Sequence, residues 1–478
     1  MSLVVMKFGG TSVGNPDRIR QAAQIVAESS REHRVVLVVS AFSGVTDSII
    51  ETVNVALSGD TPEPQLKKLE QRHHAAIAEL FPPAKRAAVG HEINAVLRQF
   101  REFCSALTLL RSATPQVMDV ALALGEKMSA RIVAAYLHEL GVIGEYVDAS
   151  RVLITDDKFG NASPEMDATR QHSQNVLLPM LEHARVPVVT GYAGVTTNGR
   201  PTTLGRGGSD FSATILGAAI GADEIWIWTD VDGVLNADPR ICPRASTLPE
   251  ITYAEAIELA YYGAKVIHPK AIRPAMDLGI PVWIKNSFAA HMPGTKIVTS
   301  VRPNHSPVKA VSVVSRACLV TLSTRQNHDS AEIFGRLFMR LGHEHVDVLF
   351  STQSSSENAL GLVLRQENTD HVVQIIKRLF RNELKHGVLN PISVQDDIAV
   401  VAVLGESMKG YFGIIGRLFT AVGNRKVSVI AVAQGASELN ICFAVPAKHA
   451  QETVRAVHDE FFAPAQAYAM VQGVESRG

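Results

Sequence analysis

The chain has 478 residues, of which 46% are hydrophobic and 19% charged, and its formal net charge is −1. This composition is typical of a soluble globular protein with material for two to four domains. Because no basic excess is present, nucleic acid and anionic membranes are disfavoured as partners, and a small-molecule ligand is expected.

The cysteines and the apolar segments bear on the compartment in which the protein works. The four cysteines form no CxxC pair and no Cys/His cluster with metal-ligand spacing, which is typical of reduced thiols. The chain begins directly with a strand-like run instead of a charged leader, and no apolar stretch is long enough to cross a bilayer. We expect a cytoplasmic protein. The neighbouring residues His73 and His74 lack further ligands, so we interpret them as surface or core histidines.

Five continuously apolar runs in the first 300 residues predict the strands of a parallel sheet. They cover residues 3–8, 35–40, 186–190, 224–229 and 282–284. Strands buried on both faces lack polar alternation, and the segments between these runs carry apolar residues at helical spacing. The alternation of strands and helices predicts a doubly wound α/β domain.

Small or polar residues follow four of these runs. In open parallel sheets, ligands bind just beyond the carboxyl ends of the strands, so these positions predict one common cleft. The residues are Gly9, Gly10, Ser40, Ala41, Gly191, Thr229 and Asp230.

The first candidate site is the segment 7–12 (KFGGTS), in which Lys7 precedes paired glycines at a strand end. Missing side chains let backbone N–H groups approach a phosphate, and a following helix N-terminus adds positive charge. The segment matches neither the GxxxxGK[ST] loop nor the dinucleotide GxGxxG motif. A tight turn is the alternative interpretation, and the lysine favours phosphate binding.

The second candidate site is the segment 202–210 (TTLGRGGSD), which precedes an apolar helix at 211–220. Ser209 or Asp210 is expected to cap that helix. Three glycines expose backbone donors, and Arg206 is suited to bind a carboxylate in bidentate fashion. The alternative is an ordinary capped loop.

Three further segments carry polar groups near the predicted cleft. Thr229 and Asp230 offer hydrogen-bond acceptors to a nucleotide base or ribose, and Arg240 is able to reach phosphates. Lys265 lies in a mostly apolar turn and, unless its stem simply covers apolar surface, needs an anionic partner. Glu126, in the segment LGEKMSA, is suited to bind an ammonium group.

The remaining sequence indicates a helical insert and a duplicated C-terminal region. Residues 57–112 are helical and charged, and a linker with two prolines lies near residues 301–307. Residues 333–338 (IFGRLF) recur 81 residues later as 414–419 (IIGRLF), and several strand and glutamine positions follow the same offset. We infer two copies of one small domain, each a helix, a strand, a glutamine-containing turn and a strand. Ligand-binding regulation and a purely structural pair are both open.

Taken together, the segments KFGGTSV, LALGEKMSA, TTLGRGGSD, WTDVDGV…DPR and YGAKVIHP resemble the aspartate kinase family of the amino-acid kinase superfamily, and the C-terminal repeat resembles its tandem ACT domains. The resemblance implies a parallel-sheet αβα sandwich followed by two ferredoxin-like α+β domains. The expected catalytic domain covers residues 1–300, with the insert at 57–112. The expected ACT domains cover 308–390 and 396–470, the strand near 308–314 belonging to either copy. The chain resembles the monofunctional form rather than the fusion with homoserine dehydrogenase.

The activity that this resemblance implies is transfer of phosphate from ATP to L-aspartate, giving 4-phospho-L-aspartate, the first step toward lysine, threonine and methionine. The substrate β-carboxylate is already ionised at neutral pH, since its ordinary pKa is about 3.9, so no general base is needed. Catalysis then requires alignment and charge neutralisation. Mg²⁺ is expected mainly on the ATP phosphates, because no protein metal cage is visible.

The resemblance also implies roles for individual residues. Lys7 would contact the transferring phosphoryl group and Asp210 would orient it. Many family members have tyrosine at the position of Leu235. The substrate residues implied are Thr46, Glu126, Arg206 and Ser209, and the ATP residues are Lys7, Gly9, Gly10, Thr229, Asp230, Leu235, Arg240 and Lys265.

For the C-terminal copies, the resemblance implies binding of lysine or threonine as effector and assembly into a homodimer or homotetramer. The loop 327–331 with Ser330, together with Val346 and Asp347, is the expected effector site. Two other functions remain open. One is a kinase of the same superfamily with another acid substrate, and the other is an amino-acid sensor whose kinase half is inactive.

Overall fold

The computed structural model describes residues 1–264, 267–301, 306–325, 330–354 and 358–462. The strands are β1 (Ser2–Phe8), β2 (His33–Val39), β3 (Gly144–Val147), β4 (Ile154–Thr155), β5 (Val186–Thr190), β6 (Ala193–Thr196), β7 (Pro201–Thr203), β8 (Glu224–Thr229), β9 (Glu250–Thr252), β10 (Val282–Asn286), β11 (Thr295–Val298), β12 (Ala310–Ser323), β13 (Val348–Ser354), β14 (Ala359–Arg365), β15 (Ser393–Leu404), β16 (Ala431–Gln434) and β17 (Asn440–Pro446).

The α-helices follow the same numbering along the chain. They are α1 (Pro16–Ser29), α2 (Val45–Ser58), α3 (Glu63–Leu80), α4 (Pro83–Leu110), α5 (Pro115–Leu122), α6 (Leu124–Glu139), α7 (Met166–Glu182), α8 (Gly208–Ile220), α9 (Tyr253–Tyr261), α10 (Pro269–Leu278), α11 (Ser330–His343), α12 (Thr369–Leu379), α13 (Arg381–Lys385), α14 (Ile414–Asn424) and α15 (Ala450–Phe462). Within the described ranges, no helix combines the length and apolar character needed to cross a membrane.

The chain divides into two compact units. The first consists of Met1–Val234, Pro249–Tyr253 and Val266–Val301, and the second of Leu235–Leu248, Ala254–Lys265 and Arg302–Gly478.

The first unit is built on an eight-stranded sheet with the order β3-β5-β2-β1-β8-β10-β11-β9. The strands from β3 to β10 in this order pair in parallel, and only β10 and β11 pair antiparallel. β1 lies in the middle, where both faces are covered, and Val4, Val5 and Met6 are almost wholly buried. The predicted α/β fold with a parallel sheet is confirmed, and each of the five predicted runs forms a strand. A small sheet of β4, β6 and β7 accompanies the main one.

The main core of the first unit lies between this sheet and helices α1 to α6. Continuous apolar strands supply one side, and helices with an apolar face supply the other, which is the arrangement expected for buried parallel strands. The residues predicted as a helical insert, 57–112, form the end of α2, all of α3 and all of α4, and end two residues after α4. Phe100 and Leu107 of α4 are fully buried in the same core, so the insert packs as part of the unit.

The second unit contains one six-stranded sheet with the order β13-β14-β12-β15-β17-β16, in which all pairs are antiparallel. Each predicted copy supplies a helix and two strands, namely α11, β13 and β14, and then α14, β16 and β17. The strands begin later than predicted: β16 starts at Ala431, although the repeat placed a strand at 427–429. Gln353 lies within β13 instead of in a turn.

Two apolar cores fill the second unit, one around α14 and α15 and one around α11 and α12. The unit also contains a buried ion pair: Lys309 Nζ lies 3.0 Å from Glu255 Oε2, and their side chains are 7% and 2% exposed. Glu255 Oε1 also accepts the backbone N–H of Glu406 at 2.8 Å. The carboxylate therefore interacts with two segments that are far apart in the sequence.

We predict that Lys309→Met lowers the free energy of unfolding by about 3–5 kcal/mol, because it removes a buried cation that lies 3.0 Å from the buried Glu255 carboxylate. Chemical denaturation measures the change. The matched control is Arg244→Met, which breaks the largely exposed ion pair with Asp459 and should cost less than about 1 kcal/mol. Equal losses in the two variants would contradict the argument from burial.

Candidate active site

The site is organised by an ion pair at the carboxyl edge of the main sheet. Lys7 is the next-to-last residue of β1 and is 8% exposed, and its Nζ lies 2.5 Å from Asp210 Oδ1. Asp210 is in the first turn of α8, where a carboxylate is favoured by the helix dipole. Gly9 lies beside the ammonium group, since a Cβ there would be 3.4 Å from Lys7 Nζ.

Around this pair lies a cavity of about 580 Å³. It receives the ends of β1 and β2, the N-terminus of α2, the start of α6 and the loop before α8. The sequence predicted that these segments share one cleft, and seven of its site residues line the cavity. They are Lys7, Gly10, Thr46, Glu126, Arg206, Ser209 and Asp210.

Glu126 carries the most strongly shifted carboxyl group of the cavity. It is 3% exposed, and its Oε2 accepts no hydrogen bond from the described residues. Burial raises the pKa of this carboxyl to about 8, against smaller opposing effects of backbone hydrogen bonds from Ala41 and from its own residue. A close approach of α6 makes this burial possible, since a Cβ at Gly125 would lie 2.8 Å from Ala41 Cβ. The group is therefore suited to receive a cation.

Arg206 provides a cation on the other side of the cavity. It is exposed, and no acidic side chain of the described residues pairs with it. One sequence expectation was wrong here: α8 begins at Gly208, and its N-cap is Gly207, so neither Ser209 nor Asp210 caps the helix. The physical reason is the backbone, because Gly207 has φ +71° and glycine adopts this left-handed conformation without strain. Both side chains are thereby free to face the cavity.

The predicted nucleotide residues of the first unit lie at the end of the neighbouring strand. Thr229 ends β8 beside Gly9, whose N–H donates to Trp228 O at 3.3 Å. Thr229 Oγ1 donates to Asp230 Oδ1 at 3.2 Å, and its carbonyl accepts from Ser287 N at 2.8 Å. Asp230 is exposed. The Gly9 amide is already engaged in this hydrogen bond, and of the two neighbouring glycines Gly10 lines the cavity.

The other predicted nucleotide residues belong to the second unit. Leu235 forms an isolated antiparallel bridge with Thr247. Arg240 is 88% exposed and binds Asp238 at 2.7 Å, which raises the pKa of its guanidinium. Lys265 lies outside the described residues.

The predicted effector residues are spread over one copy of the second unit. Ser330 is the first residue of α11, Val346 packs against the core of this copy, and Asp347 is exposed directly before β13. Residues 327–329 of the predicted effector loop lie outside the described residues.

The sequence did not indicate two further residues that support or line the cavity, Asp119 and Tyr192. Asp119 is fully buried in α5 and accepts hydrogen bonds from Gly160 N, Thr203 N and Thr203 Oγ1, at 2.8, 3.0 and 2.6 Å. Tyr192 lines the cavity with φ +67°, a left-handed conformation that costs energy for a side chain of this size. Its pKa is raised by burial and by the nearby Glu126, although a hydrogen bond with Thr203 lowers it. Tyr192 lies two residues after the end of β5, so the rule that ligands bind beyond the carboxyl ends of parallel strands could have identified it.

Comparison with known sequences assigns the family. The sequence model of the amino acid kinase family matches residues 2–286, and an ACT-domain model matches residues 401–461. Aspartokinase 1 of Arabidopsis thaliana (chloroplastic) is 32% identical over 476 residues, covering 96% of this chain and 80% of that protein. This chain belongs to the aspartokinases of the amino acid kinase family. The resemblance inferred from the motifs is confirmed.

Other aspartokinases extend this comparison. The bifunctional aspartokinase/homoserine dehydrogenase of Haemophilus influenzae is 30% identical over 462 residues, covering 96% of this chain and 56% of that protein. The chain spans about half the length of such bifunctional relatives. Escherichia coli aspartokinase III in complex with aspartate and ADP is similar in structure, with a TM-score of 0.80, 28% identity and coverage of 96% and 100% of the two chains. The complex of Escherichia coli aspartokinase III with lysine and aspartate (T-state) has a TM-score of 0.79 and 30% identity, and the match covers 96% of this chain and 99% of that chain.

The raised pKa of Glu126 gives a prediction about stability. The folded protein keeps this proton up to about pH 8, whereas the unfolded chain releases it near the ordinary pKa of 4.5. The folded state therefore binds more protons between these values, and the free energy of unfolding should fall as the pH rises. In Glu126→Gln this contribution is absent. The variant should gain stability relative to wild type by up to about 1.4 kcal/mol per pH unit between pH 5 and 8.

Denaturation at several pH values without ligands measures this difference. Glu102→Gln is the control, because Glu102 is an exposed carboxylate on α4 and should reproduce the wild-type pH profile. A constant difference between Glu126→Gln and wild type across this range would contradict a neutral Glu126.

Proposed function

We propose that this protein is an aspartate kinase that transfers the γ-phosphoryl group of ATP to the β-carboxylate of L-aspartate, forming 4-phospho-L-aspartate and ADP. The observation that carries the proposal is the presence in one cavity of two complementary groups that lack partners among the described residues: the guanidinium of Arg206 and the buried carboxyl of Glu126. A ligand that satisfies both must present a carboxylate and an ammonium group, as an α-amino acid does.

In this proposal, Arg206 binds the substrate α-carboxylate and Glu126 binds the substrate ammonium. Thr46 and Ser209 complete the substrate contacts. Because Glu126 is neutral below about pH 8 in the free protein, binding of the ammonium favours its ionisation and releases a proton. The affinity for aspartate should therefore increase with pH up to that value.

Phosphoryl transfer requires two anions to approach each other, and Lys7 is the cation placed to make this possible. Its ammonium group faces the cavity edge and is held by Asp210. The substrate β-carboxylate attacks the γ-phosphorus and the bond to the ADP oxygen breaks, with no proton transfer at the nucleophile. Lys7 and the Gly10 backbone stabilise the transferring group.

The nucleotide is proposed to extend from Gly10 toward Thr229 and Asp230. The assignment of Gly9, Leu235, Arg240 and Lys265 to ATP rests on the family resemblance alone. Mg²⁺ would be held mainly by the ATP phosphates, where it neutralises charge; among the described residues, no group of three potential ligand side chains offers a cage.

The domain limits are proposed as 1–300 for the kinase domain with the insert at 57–112, and 308–390 and 396–470 for two ACT domains. Strand pairing bears on the residues 308–314: Ala310 to Val314 of β12 pair with β15, which supports their assignment to the second copy. The ACT-domain match to residues 401–461 supports the second domain.

The reaction is tested by ADP release with L-aspartate, L-glutamate and N-acetylglutamate as separate acceptors. We expect release with aspartate only, and we expect Lys7→Ala to lower kcat by on the order of a hundredfold, the usual loss of a main transition-state donor. Lys85→Ala is the control, because Lys85 only forms an exposed ion pair with Glu139. Preference for another acceptor would reassign the substrate, and no release with any acid would favour an inactive sensor.

We further propose that the second unit senses an amino-acid end product. The complex of aspartokinase III with lysine supports this, as do Ser330, Val346 and Asp347 at the start of α11 and β13. A homodimer or homotetramer assembled through the ACT domains is part of this proposal.

Isothermal titration with lysine and with threonine tests the sensor. We expect one of them to release heat and to inhibit ADP formation, and we expect Asp347→Asn to weaken binding of a lysine effector, since Asp347 is suited to pair with its ammonium group. If neither amino acid releases heat on binding or inhibits ADP formation, the sensor proposal is wrong and the second unit has only a structural role.

A further inference from the structure

The helical insert contributes a side chain that joins two loops of the cavity. Arg72 lies in α3, and its Nη2 donates to Ser43 O at 2.7 Å and to Gly14 O at 3.2 Å. Gly14 belongs to the loop after β1, and Ser43 to the loop after β2. A single guanidinium nitrogen therefore binds one carbonyl from each loop.

These two loops approach each other at backbone distance. Ser43 N donates to Gly10 O at 3.1 Å, and a Cβ on Gly10 would lie only 2.9 Å from Ala41 O. A Cβ on Gly14 would lie 3.3 Å from Ser43 Cβ. Close approach brings carbonyl oxygens of like partial charge together, and a shared cationic donor stabilises this arrangement better than a neutral one.

His73, the next residue of α3, packs against the loop after β2 by stacking on Phe42. His73 is fully buried, and its ring stacks on Phe42 with a centroid distance of 5.0 Å and an interplanar angle of 13°. Its Nδ1 hydrogen-bonds with Leu69 O at 2.8 Å, which fixes the ring on the helix. Burial lowers the pKa of His73 to about 4, so the ring is neutral and packs as an apolar surface.

Both loops carry residues that line the cavity. The first carries Gly10 beside Lys7, and the second carries Ser43 and Gly44 and leads into Thr46 in the first turn of α2. We propose that Arg72 is a positioning residue that sets the distance between the phosphate side and the substrate side of the active site. This inference rests on the aspartate kinase function proposed above, because the two sides are defined by that reaction.

Removal of Arg72 should impair the reaction through misalignment rather than through unfolding. Displacement of reacting groups by about 1 Å costs up to about a hundredfold in rate, so we expect Arg72→Ala to lower kcat/KM for aspartate by at least about tenfold. Arg72→Lys should recover part of this loss, since lysine keeps the charge and reaches one carbonyl. Added ethylguanidinium should restore activity in Arg72→Ala in a saturable manner.

Arg86→Ala is the matched control. Arg86 belongs to the same insert and its Nε donates to one backbone carbonyl, Phe81 O, at 2.8 Å, but Phe81 belongs to neither of the two loops that Arg72 joins. We expect its kcat/KM to stay within about twofold of wild type, without an effect of ethylguanidinium. Wild-type kinetics in Arg72→Ala would overturn the proposal, and so would a loss that neither lysine nor ethylguanidinium reverses.

Amide hydrogen exchange separates this inference from the proposed reaction. In Arg72→Ala, exchange in residues 40–46 should accelerate relative to wild type and to Arg86→Ala, because the Ser43 amide bond to Gly10 O loses its support. Unchanged exchange there would overturn the positioning role. If wild type released no ADP with aspartate while exchange still accelerated, the reaction would be wrong and the link between the loops correct.

Discussion

The cost of burying the Lys7 ammonium group is the constraint on which the site depends. Lys7 lies in the central strand, between Val38 and Ile227 on the neighbouring strands, where no other polar side chain is paired in register with it. A buried cation is tolerated only with a partner, and Asp210 is brought to 2.5 Å by the first turn of α8. The loop before α8 must therefore end close to β1, and the glycine at 207 allows the chain to turn there.

The cost of burying unpaired charges also explains why the cavity is suited to an amino acid. The pair of Lys7 and Asp210 is internally compensated, whereas Arg206 and Glu126 are not paired with other charged side chains among the described residues. Burial without a partner makes Glu126 neutral, which is less costly than an isolated charge. A ligand ammonium reverses this preference. In the proposed binding mode, a simple dicarboxylate would bind Arg206 and give Glu126 no cation, so we expect the cavity to favour amino acids over other acids.

Much of this site could be predicted from sequence, because one topological rule locates it. Buried parallel strands are visible as apolar runs, and their carboxyl ends place Lys7, Thr229 and the loop after β2 at one edge. Asp119 and Arg72 could not be found in this way. Each lies in an amphipathic helix, where a charged residue is ordinary, and its importance arises from hydrogen-bonding groups that tertiary folding brings to it.

The errors have equally local causes. Ser209 and Asp210 are good capping residues by type, but the preceding glycine allows α8 to begin without a side-chain cap. In the second unit, the repeat correctly identified the order of elements, whereas strand limits depend on pairing. Val432 of β16 pairs with Phe443 of β17, so the strand begins where this pairing begins and not where the apolar pattern of the repeat begins.

The second unit shows how one helix can respond to both of its repeated copies. The carbonyl of Tyr261, at the end of α9, accepts from Arg365 of β14 at 2.8 Å, and that of Tyr262 accepts from Ser312 Oγ of β12 at 2.6 Å. Arg365 belongs to the first copy, and Ser312 lies where β12 pairs with β15. The end of α9 is therefore hydrogen-bonded to both copies of the repeat, and a displacement of one copy relative to the other would alter at least one of these two hydrogen bonds.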